Sequence, residues 1–162
     1  MKKQKGFSLI ELLIVVAIIL IIAAIAIPNL LRSRMAANEA SAVGSLRTIN
    51  TAEVTFATTY PSIGFGSLAA LGGTVSACAT STGATSAGAC LIDNVLSNTA
   101  VKSGYNFTIT NLTGTPVVVT YTATALPTVV GQSGQRGFCT DQSGVIRYNG
   151  AGTCNVASDS AL

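Results

Sequence analysis

Hydrophobic positions follow three different periods along the chain, and each period predicts a different element. From Leu12 to Ile27 no residue is polar, so a helix here is apolar on every side and has to lie in lipid or in a protein core. Between Ala42 and Tyr60 apolar residues recur at spacings of three and four, which predicts an amphipathic helix that ends at Pro61. From Tyr105 onward apolar and polar residues alternate, which is the period of a half-buried strand.

Together these patterns predict an α+β fold, in which one long helix at about residues 7–59 packs on an antiparallel sheet of three to four strands. Glu39, Arg47 and Glu53 are expected to supply charge to the second half of the helix. Its packing face carries Ala42, Val43, Leu46, Ile49, Phe56, Ala57 and Tyr60. Short helices are expected at 67–71 and 91–96, and strands at 105–110, 117–125, 138–140 and 145–148, with a hairpin turn at 141–144.

The apolar run from Gly6 to Pro28 is long enough to cross a membrane. A bilayer core of about 30 Å requires about 20 helical residues, and a helix satisfies every backbone group in lipid. Lys2, Lys3 and Lys5 precede the run, which suits the cytoplasmic side and leaves the rest of the chain outside. Pro28 removes one helix hydrogen bond and is expected to bend or loosen the helix there.

Glu11 is an acidic residue inside this run, and no basic side chain lies within the run to pair with it. A charged side chain in lipid costs on the order of 2.5–3.5 kcal/mol on insertion scales, so such a residue usually has a partner. Cleavage after Gly6 would create one, because Phe7 would then carry a free α-amino group one helical turn from Glu11.

The junction Lys5-Gly6-Phe7-Ser8-Leu9-Ile10-Glu11, followed by a long apolar helix with Pro28, resembles the class III signal of type IV prepilins and of the pseudopilins of type II secretion. In that family a peptidase cuts after the glycine and methylates the new N-terminal residue, which implies cleavage between Gly6 and Phe7 and N-methylation of Phe7. The resemblance also implies that Glu11 meets the N-terminal amine of a neighbouring subunit, so that Phe7, Glu11 and Pro28 are the expected assembly residues.

Two other interpretations of the N-terminus explain less. An ordinary secretory signal has an apolar core of about 7–15 residues. Ala24-Ile25-Ala26 offers a cleavage site for it, but this run is longer and contains Glu11. A plain membrane anchor explains the length of the run and neither Gly6 nor Glu11.

The resemblance implies three parts: a leader peptide at 1–6, a transmembrane and filament-core helix at 7–30, and the amphipathic helix half with a globular pilin head at 31–162. It covers about the first 30 residues by motif, and the head by the order and type of its elements. A structural subunit of a type IV pilus is thereby implied, inserted in the bacterial inner membrane as a single-pass prepilin and then polymerised into an extracellular helical fibre.

The implied partners are other copies of the chain, the prepilin peptidase, the pilus assembly machinery of the inner membrane, and membrane lipid before assembly. A pseudopilin of a type II secretion system and a membrane-anchored binding module are the alternatives. A major pseudopilin head typically carries a calcium-bound C-terminal loop, whereas this chain has a loop with cysteines, which favours the pilin.

Charge and composition argue against several other functions. Without the three lysines of the leader, six basic and six acidic side chains leave no net charge, so bulk charge does not indicate nucleic-acid binding. The chain has no histidine to activate a serine or cysteine nucleophile, and no enzyme, cofactor or metal is predicted. Asp141 with Ser143 and Gly144 could bind calcium, but a hairpin turn explains these residues better.

Four cysteines, Cys78, Cys90, Cys139 and Cys154, lie in the part of the chain expected outside the membrane. An even number of cysteines in an exported domain indicates disulfides, and neither spacing is a CxxC pattern. Four cysteines allow three connectivities. Sequential pairs are favoured because each closes a short loop, and the second pair resembles the C-terminal loop bridge of pilins.

We expect mass spectrometry of the mature chain to find N-methylated Phe7 at its N-terminus. Gly6→Leu should block the cut, because a bulky side chain replaces the glycine of the signal, and should leave the unprocessed chain in the membrane fraction. A mature N-terminus at Ile27, or an intact Met1 in the unaltered chain, would contradict the prepilin interpretation.

Overall fold

The computed structural model describes residues 7–74, 78–79 and 84–162. The chain divides into two compact units, Met1–Arg34 and Met35–Leu162. The first unit contains the apolar part of helix α1, and the second contains the remainder of that helix and the whole sheet. Gly6 and the three leader lysines lie outside the described residues.

Helix α1 spans Leu9–Thr59 and includes Pro28. It begins two residues after the expected start at Phe7, because Ser8 takes the N-cap position and the Glu11 side chain accepts a hydrogen bond from its amide. Among the described residues, α1 is the one helix long and apolar enough to cross a membrane, by length and composition. A bend at Pro28 remains a prediction.

The sheet of the second unit has six antiparallel strands in chain order, more than the three to four expected. Its two outermost strands have two residues each, so they are too short to show an alternating pattern in the sequence. The strands are β1 Val101–Lys102, β2 Tyr105–Thr113, β3 Thr120–Pro127, β4 Gly137–Asp141, β5 Arg147–Asn149 and β6 Ser160–Ala161.

Strand β3 begins later than the strand expected at 117–125, because Val118 pairs with a different part of the chain. The Val118 amide donates to the Ile63 carbonyl at 2.8 Å, and its own carbonyl accepts from the Phe65 amide at 3.1 Å. Only Tyr121 and the alternate residues after it face the core, while Val119 is exposed. The sequence pattern therefore identified the alternating face but extended it three residues too far.

One of the two short helices has the expected position. Helix α2 spans Leu68–Leu71, and its N-cap Ser67 accepts a hydrogen bond from the Ala70 amide, close to the prediction at 67–71. The helix expected at 91–96 is instead a π-helical turn at Val95–Thr99. It starts late because Asp93 Oδ1 accepts from the Leu96 amide at 2.8 Å and acts as a cap before it.

The core lies between the second half of α1 and the sheet, as the amphipathic pattern predicts. The predicted helix face is buried at Ala42, Val43, Leu46, Ile49 and Phe56, and Tyr60 packs against it. Leu71 of α2 and Leu96 of the π-helical turn belong to the same core. The sheet contributes Tyr105, Phe107, Tyr121, Ala123, Ala125 and Phe138.

Two of the three residues expected to supply charge to the second half of α1 are buried. Glu39 is 8% exposed and Glu53 is fully buried, whereas Arg47 is exposed. A buried carboxylate is costly unless hydrogen bonds compensate for its lost hydration. The local pattern missed both residues because their partners lie outside the helix, at Gly66 for Glu53 and at Gln135 and Arg136 for Glu39.

Glu39 ties α1 to the segment that leads into β4. Its Oε1 accepts from the amides of Gln135 at 2.9 Å and Arg136 at 3.1 Å, and its Oε2 accepts from Arg136 Nε at 2.8 Å. The Arg136 guanidinium also lies over the Phe138 ring, 5.4 Å from its centroid. Burial raises the pKa of Glu39, but the two backbone hydrogen bonds and the Arg136 side chain outweigh it, so the net pKa lies below its ordinary value.

The four cysteines are joined in sequential pairs, Cys78–Cys90 and Cys139–Cys154. The first pair closes a loop whose residues 75–77 and 80–83 lie outside the described residues. The second pair joins buried Cys139 in β4 to half-buried Cys154 in the loop after β5. It therefore anchors the C-terminal loop directly to the core.

We expect Glu39→Gln to lower the free energy of unfolding at pH 7 by about 1–3 kcal/mol, because the part-buried hydrogen bonds from Gln135 and Arg136 lose their charged acceptor. The stabilising effect of Glu39 should be present above its ordinary pKa of 4.5 and be lost as the pH falls through its lower folded value. Denaturant unfolding of the full chain in detergent micelles at several pH values measures both effects. Lys102→Met is the control, because the Lys102–Asp93 pair is partly exposed and should contribute less than about 1 kcal/mol. An equal decrease in the free energy of unfolding for Glu39→Gln and Lys102→Met would contradict the prediction.

We expect removal of the second disulfide to lower the midpoint of thermal unfolding more than removal of the first. The two bridges enclose similar sequence separations of 12 and 15 residues, so the loop-entropy contribution is similar, about 3 kcal/mol for each. The difference should come from Cys139, which is buried in β4, whereas Cys78 is exposed. The comparison is Cys139→Ala/Cys154→Ala against Cys78→Ala/Cys90→Ala, after non-reducing peptide mapping of the unaltered chain. Crossed linkages, or a larger fall in the unfolding midpoint for Cys78→Ala/Cys90→Ala than for Cys139→Ala/Cys154→Ala, would contradict it.

Candidate functional site

The beginning of α1 contains Glu11, one of the three residues expected to control assembly. Ser8 is the N-cap and Glu11 is the third residue of the helix, and Glu11 Oε2 accepts a hydrogen bond from the Ser8 amide at 2.9 Å. This contact is one half of a capping box, in which an acidic side chain reaches back to the N-cap amide. A carboxylate at this position also interacts favourably with the positive end of the helix dipole.

The capping contact gives Glu11 a structural role within its own chain that the sequence interpretation missed. The signal was present, because Ser8-Leu9-Ile10-Glu11 fits the S-x-x-E pattern of a capping box before an apolar run. Glu11 Oε1 has no hydrogen-bond partner among residues 7–74, 78–79 and 84–162. Since a carboxylate can accept several hydrogen bonds, this oxygen is available to a second donor.

The predicted cleavage site itself is only half described. Gly6 lies outside the described residues, and Phe7 is 82% exposed immediately before the N-cap. Pro28 lies within the helix, with its side chain exposed. The structure therefore places Phe7 beside the Glu11 cap, and Pro28 several turns away from both.

The side chains of the first unit form a long apolar surface. Every large hydrophobic residue of the described part from Phe7 to Leu31 is exposed. A contiguous apolar surface of this extent marks a membrane or protein interaction site. Because the apolar residues lie on all sides of α1, they can be removed from water only by lipid or by several neighbouring protein surfaces.

The residues considered for calcium build a hairpin turn. Asp141 Oδ1 accepts from the Ser143 amide at 2.9 Å, and the Asp141 carbonyl accepts from the Gly144 amide at 2.9 Å. Gly144 has a φ of +74°, which a glycine adopts without strain. This turn joins β4 to β5, in agreement with the hairpin interpretation.

A second group, Cys139, Cys154 and Asp159, brings two sulfurs and a carboxylate oxygen within 4.8 Å of one another. The two sulfurs are bonded to each other, so they are not thiolate ligands. The Asp159 oxygens accept from Asn149 Nδ2 at 3.0 Å and from the Asn155 amide at 2.7 Å. The group therefore holds the C-terminal loop in place, a role for Asp159 that sequence reasoning did not find.

Comparison with known proteins places this N-terminus in a wider context. Residues 1–27 match the family model described as the prokaryotic N-terminal methylation motif. Over 39 residues, 24% of this chain and 30% of the relative, the chain is 64% identical to the type IV wide pilus major component PilA4 of Thermus thermophilus. Over 54 residues, 33% of this chain and 24% of the relative, it is 46% identical to the type IV major pilin protein PilA of Myxococcus xanthus.

These matches cover about a quarter to a third of the length of the curated relatives. No solved structure is significantly similar to the chain. The resemblance identified from residues 5–11 and the apolar helix is thereby confirmed. Residues 1–27 of this chain carry the prokaryotic N-terminal methylation motif, and part of the chain is similar to two type IV pilus proteins.

Proposed function

We propose that the chain is a structural subunit of a type IV pilus that polymerises through its N-terminal apolar helix after removal of the leader at residues 1–6. The observation that supports this most directly is the methylation motif at residues 1–27, placed at the start of a helix whose apolar side chains are exposed. The two matched relatives are both described as pilus components.

The apolar surface of α1 suits a subunit that changes its surroundings. Before assembly, a helix at 7–30 would span the bacterial inner membrane, with lipid covering its side chains. In a fibre the same side chains would be covered by the helices of other copies, and a head-to-tail interface of that kind generates an open helical polymer. The head at 31–162 would then lie on the outside, exposed on the cell surface.

The proposed partners follow from this sequence of environments. The prepilin peptidase would cut between Gly6 and Phe7 and methylate Phe7, and the assembly machinery of the inner membrane would transfer the subunit from lipid to the fibre. Further copies of the chain would complete the interface. The role is structural rather than enzymatic, and it requires no cofactor or metal.

Glu11 is proposed to pair with the Phe7 ammonium of a neighbouring subunit. The Ser8 contact occupies only Oε2, so the carboxylate could hold its own helix cap and still receive a second donor on Oε1. In an apolar fibre core both charges would be costly without each other, because removal of one member of a buried pair typically costs about 3–5 kcal/mol. The helix cap alone is worth about 0.5–2 kcal/mol, so the two roles can be separated by magnitude and by substitution.

We expect Glu11→Val to abolish surface fibres while the chain still accumulates in the membrane, because insertion into lipid improves when an acid is removed. Glu11→Gln should have a milder effect, since its amide oxygen can still accept hydrogen bonds and support the cap. Fibres are recovered by shearing and quantified against the amount of chain in the membrane fraction.

Two results would count against a pairing role for Glu11. A normal fibre yield from Glu11→Val would show that the carboxylate is not needed to register subunits. An unchanged yield from Glu11→Gln together with loss from Glu11→Val would show that the helix cap, rather than the charge, is what assembly requires.

A further inference from the structure

Glu53 is a carboxyl group in the interior of the second unit, and the proposed assembly makes no use of it. Its side chain is completely buried on the face of α1 that packs on the sheet. Glu53 Oε2 accepts from the Gly66 amide at 2.9 Å. Glu53 Oε1 has no hydrogen-bond partner among the residues that the structure describes. The group is therefore held by one hydrogen bond, which comes from the segment that follows α1.

Among the residues that the structure describes, no cation compensates for the charge of Glu53. Neither of the ion pairs found among the described residues includes it. Burial raises the pKa of Tyr121 of β3, and the nearby carboxylates of Glu53 and Asp141 raise it further. The Tyr121 hydroxyl donates to Asn50 Oδ1 at 3.0 Å, so it is already used by another acceptor.

These surroundings favour the protonated form of Glu53. Burial raises its pKa to about 7, and the hydrogen bond from the Gly66 amide opposes this only in part. Glu39 shows the contrast on the same helix, because three hydrogen bonds and an arginine keep its pKa low. The number of hydrogen-bond donors that each carboxyl group receives therefore decides whether its pKa is raised or lowered.

The segment from Ile63 to Gly66, which supplies the single donor, is joined to the end of α1 and to the residues before β3. The amides of Ile63 and Gly64 donate to the Tyr60 carbonyl at 2.9 and 3.1 Å. Two backbone hydrogen bonds join it to Val118. The Phe65 ring meets the Tyr121 ring edge-on, with centroids 4.8 Å apart. Ile63 is exposed and Phe65 is half-buried, whereas Gly64 and Gly66 are buried, so the segment reaches from the surface at Ile63 to the buried Gly66 amide that holds Glu53.

We propose that Glu53 is a proton-dependent latch for the Ile63–Gly66 segment. With a proton on the carboxyl group, the segment stays docked on Val118 and Tyr121. When the proton leaves to solvent, the buried carboxylate favours release of the segment, because water can then reach the charge. The inference goes beyond the proposed pilus function, and it concerns the second unit whether or not fibres form.

The direction of the pH effect follows from the raised pKa. A carboxyl group that binds its proton more tightly in the closed form stabilises that form fully below its ordinary pKa of 4.5. This stabilisation is lost as the pH rises through about 7. Between these pH values the equilibrium constant for opening of the Ile63–Gly66 segment should increase by about tenfold for each pH unit. Above pH 7 it should become constant.

The first test measures the proton on Glu53 directly. The chain contains three glutamates, Glu11, Glu39 and Glu53, so selective ¹³C labelling of glutamate carboxyl groups gives three NMR signals for the full chain in detergent micelles. Glu53→Gln removes one signal and assigns it. We expect that signal to titrate with a midpoint near 7. A midpoint near 4.5 would overturn the proposal, and this measurement needs only the unaltered chain to be folded.

The second test measures the latch. Hydrogen exchange at the Phe65 and Gly66 amides, corrected for the intrinsic pH dependence of exchange, reports opening of the segment. We expect protection to fall about tenfold per pH unit between pH 5 and 7. Glu53→Gln should remove this pH dependence of protection. Glu39→Gln, the matched control on the same helix, should retain it. The same slope in Glu53→Gln as in the unaltered chain would show that another group controls the segment.

Discussion

The second unit depends on the packing of the second half of α1 against the antiparallel sheet. Apolar burial drives this packing but is not directional, so it does not by itself decide how the helix lies along the sheet. Glu39 adds the direction, because its two oxygens accept from three donors around Arg136. Tyr105 extends the same arrangement, since its hydroxyl donates to the Arg136 carbonyl at 2.8 Å. A polar contact at the edge of the core thus aligns the apolar contacts within it.

Helix α1 contains all three glutamates of the chain, and backbone amides are donors to each of them. Glu11 caps the helix start, where its charge suits the helix dipole and one oxygen remains available. Glu39 is buried but fully compensated, whereas Glu53 is buried with one donor and one unpartnered oxygen. The same residue type therefore serves as a cap, a structural anchor and a proton-binding group, according to the donors that the fold brings to it.

The first unit has no comparable internal core, because its described apolar side chains face outward on every side of the helix. This arrangement is stable only where something other than water surrounds the helix. Lipid and the helices of neighbouring subunits both satisfy that requirement, so the proposed function gives this one apolar surface two roles, as a membrane anchor and as a fibre interface. The methylation motif at its start connects this surface to the proposed processing step.

The sequence by itself determined the features that depend on local order. The motif around Phe7 and Glu11, the length of the apolar run, the packing face of α1 and the alternation after Tyr105 can all be identified from neighbouring residues, because helices and strands repeat over a few positions. Tertiary structure decided the rest. Strands β1 and β6 are too short to carry a period, and the partners of Glu39 lie 96 and 97 residues away. The donors to Glu39 and Glu53 lie outside α1, where no helical period encodes them, so only the folded chain shows that both residues are buried.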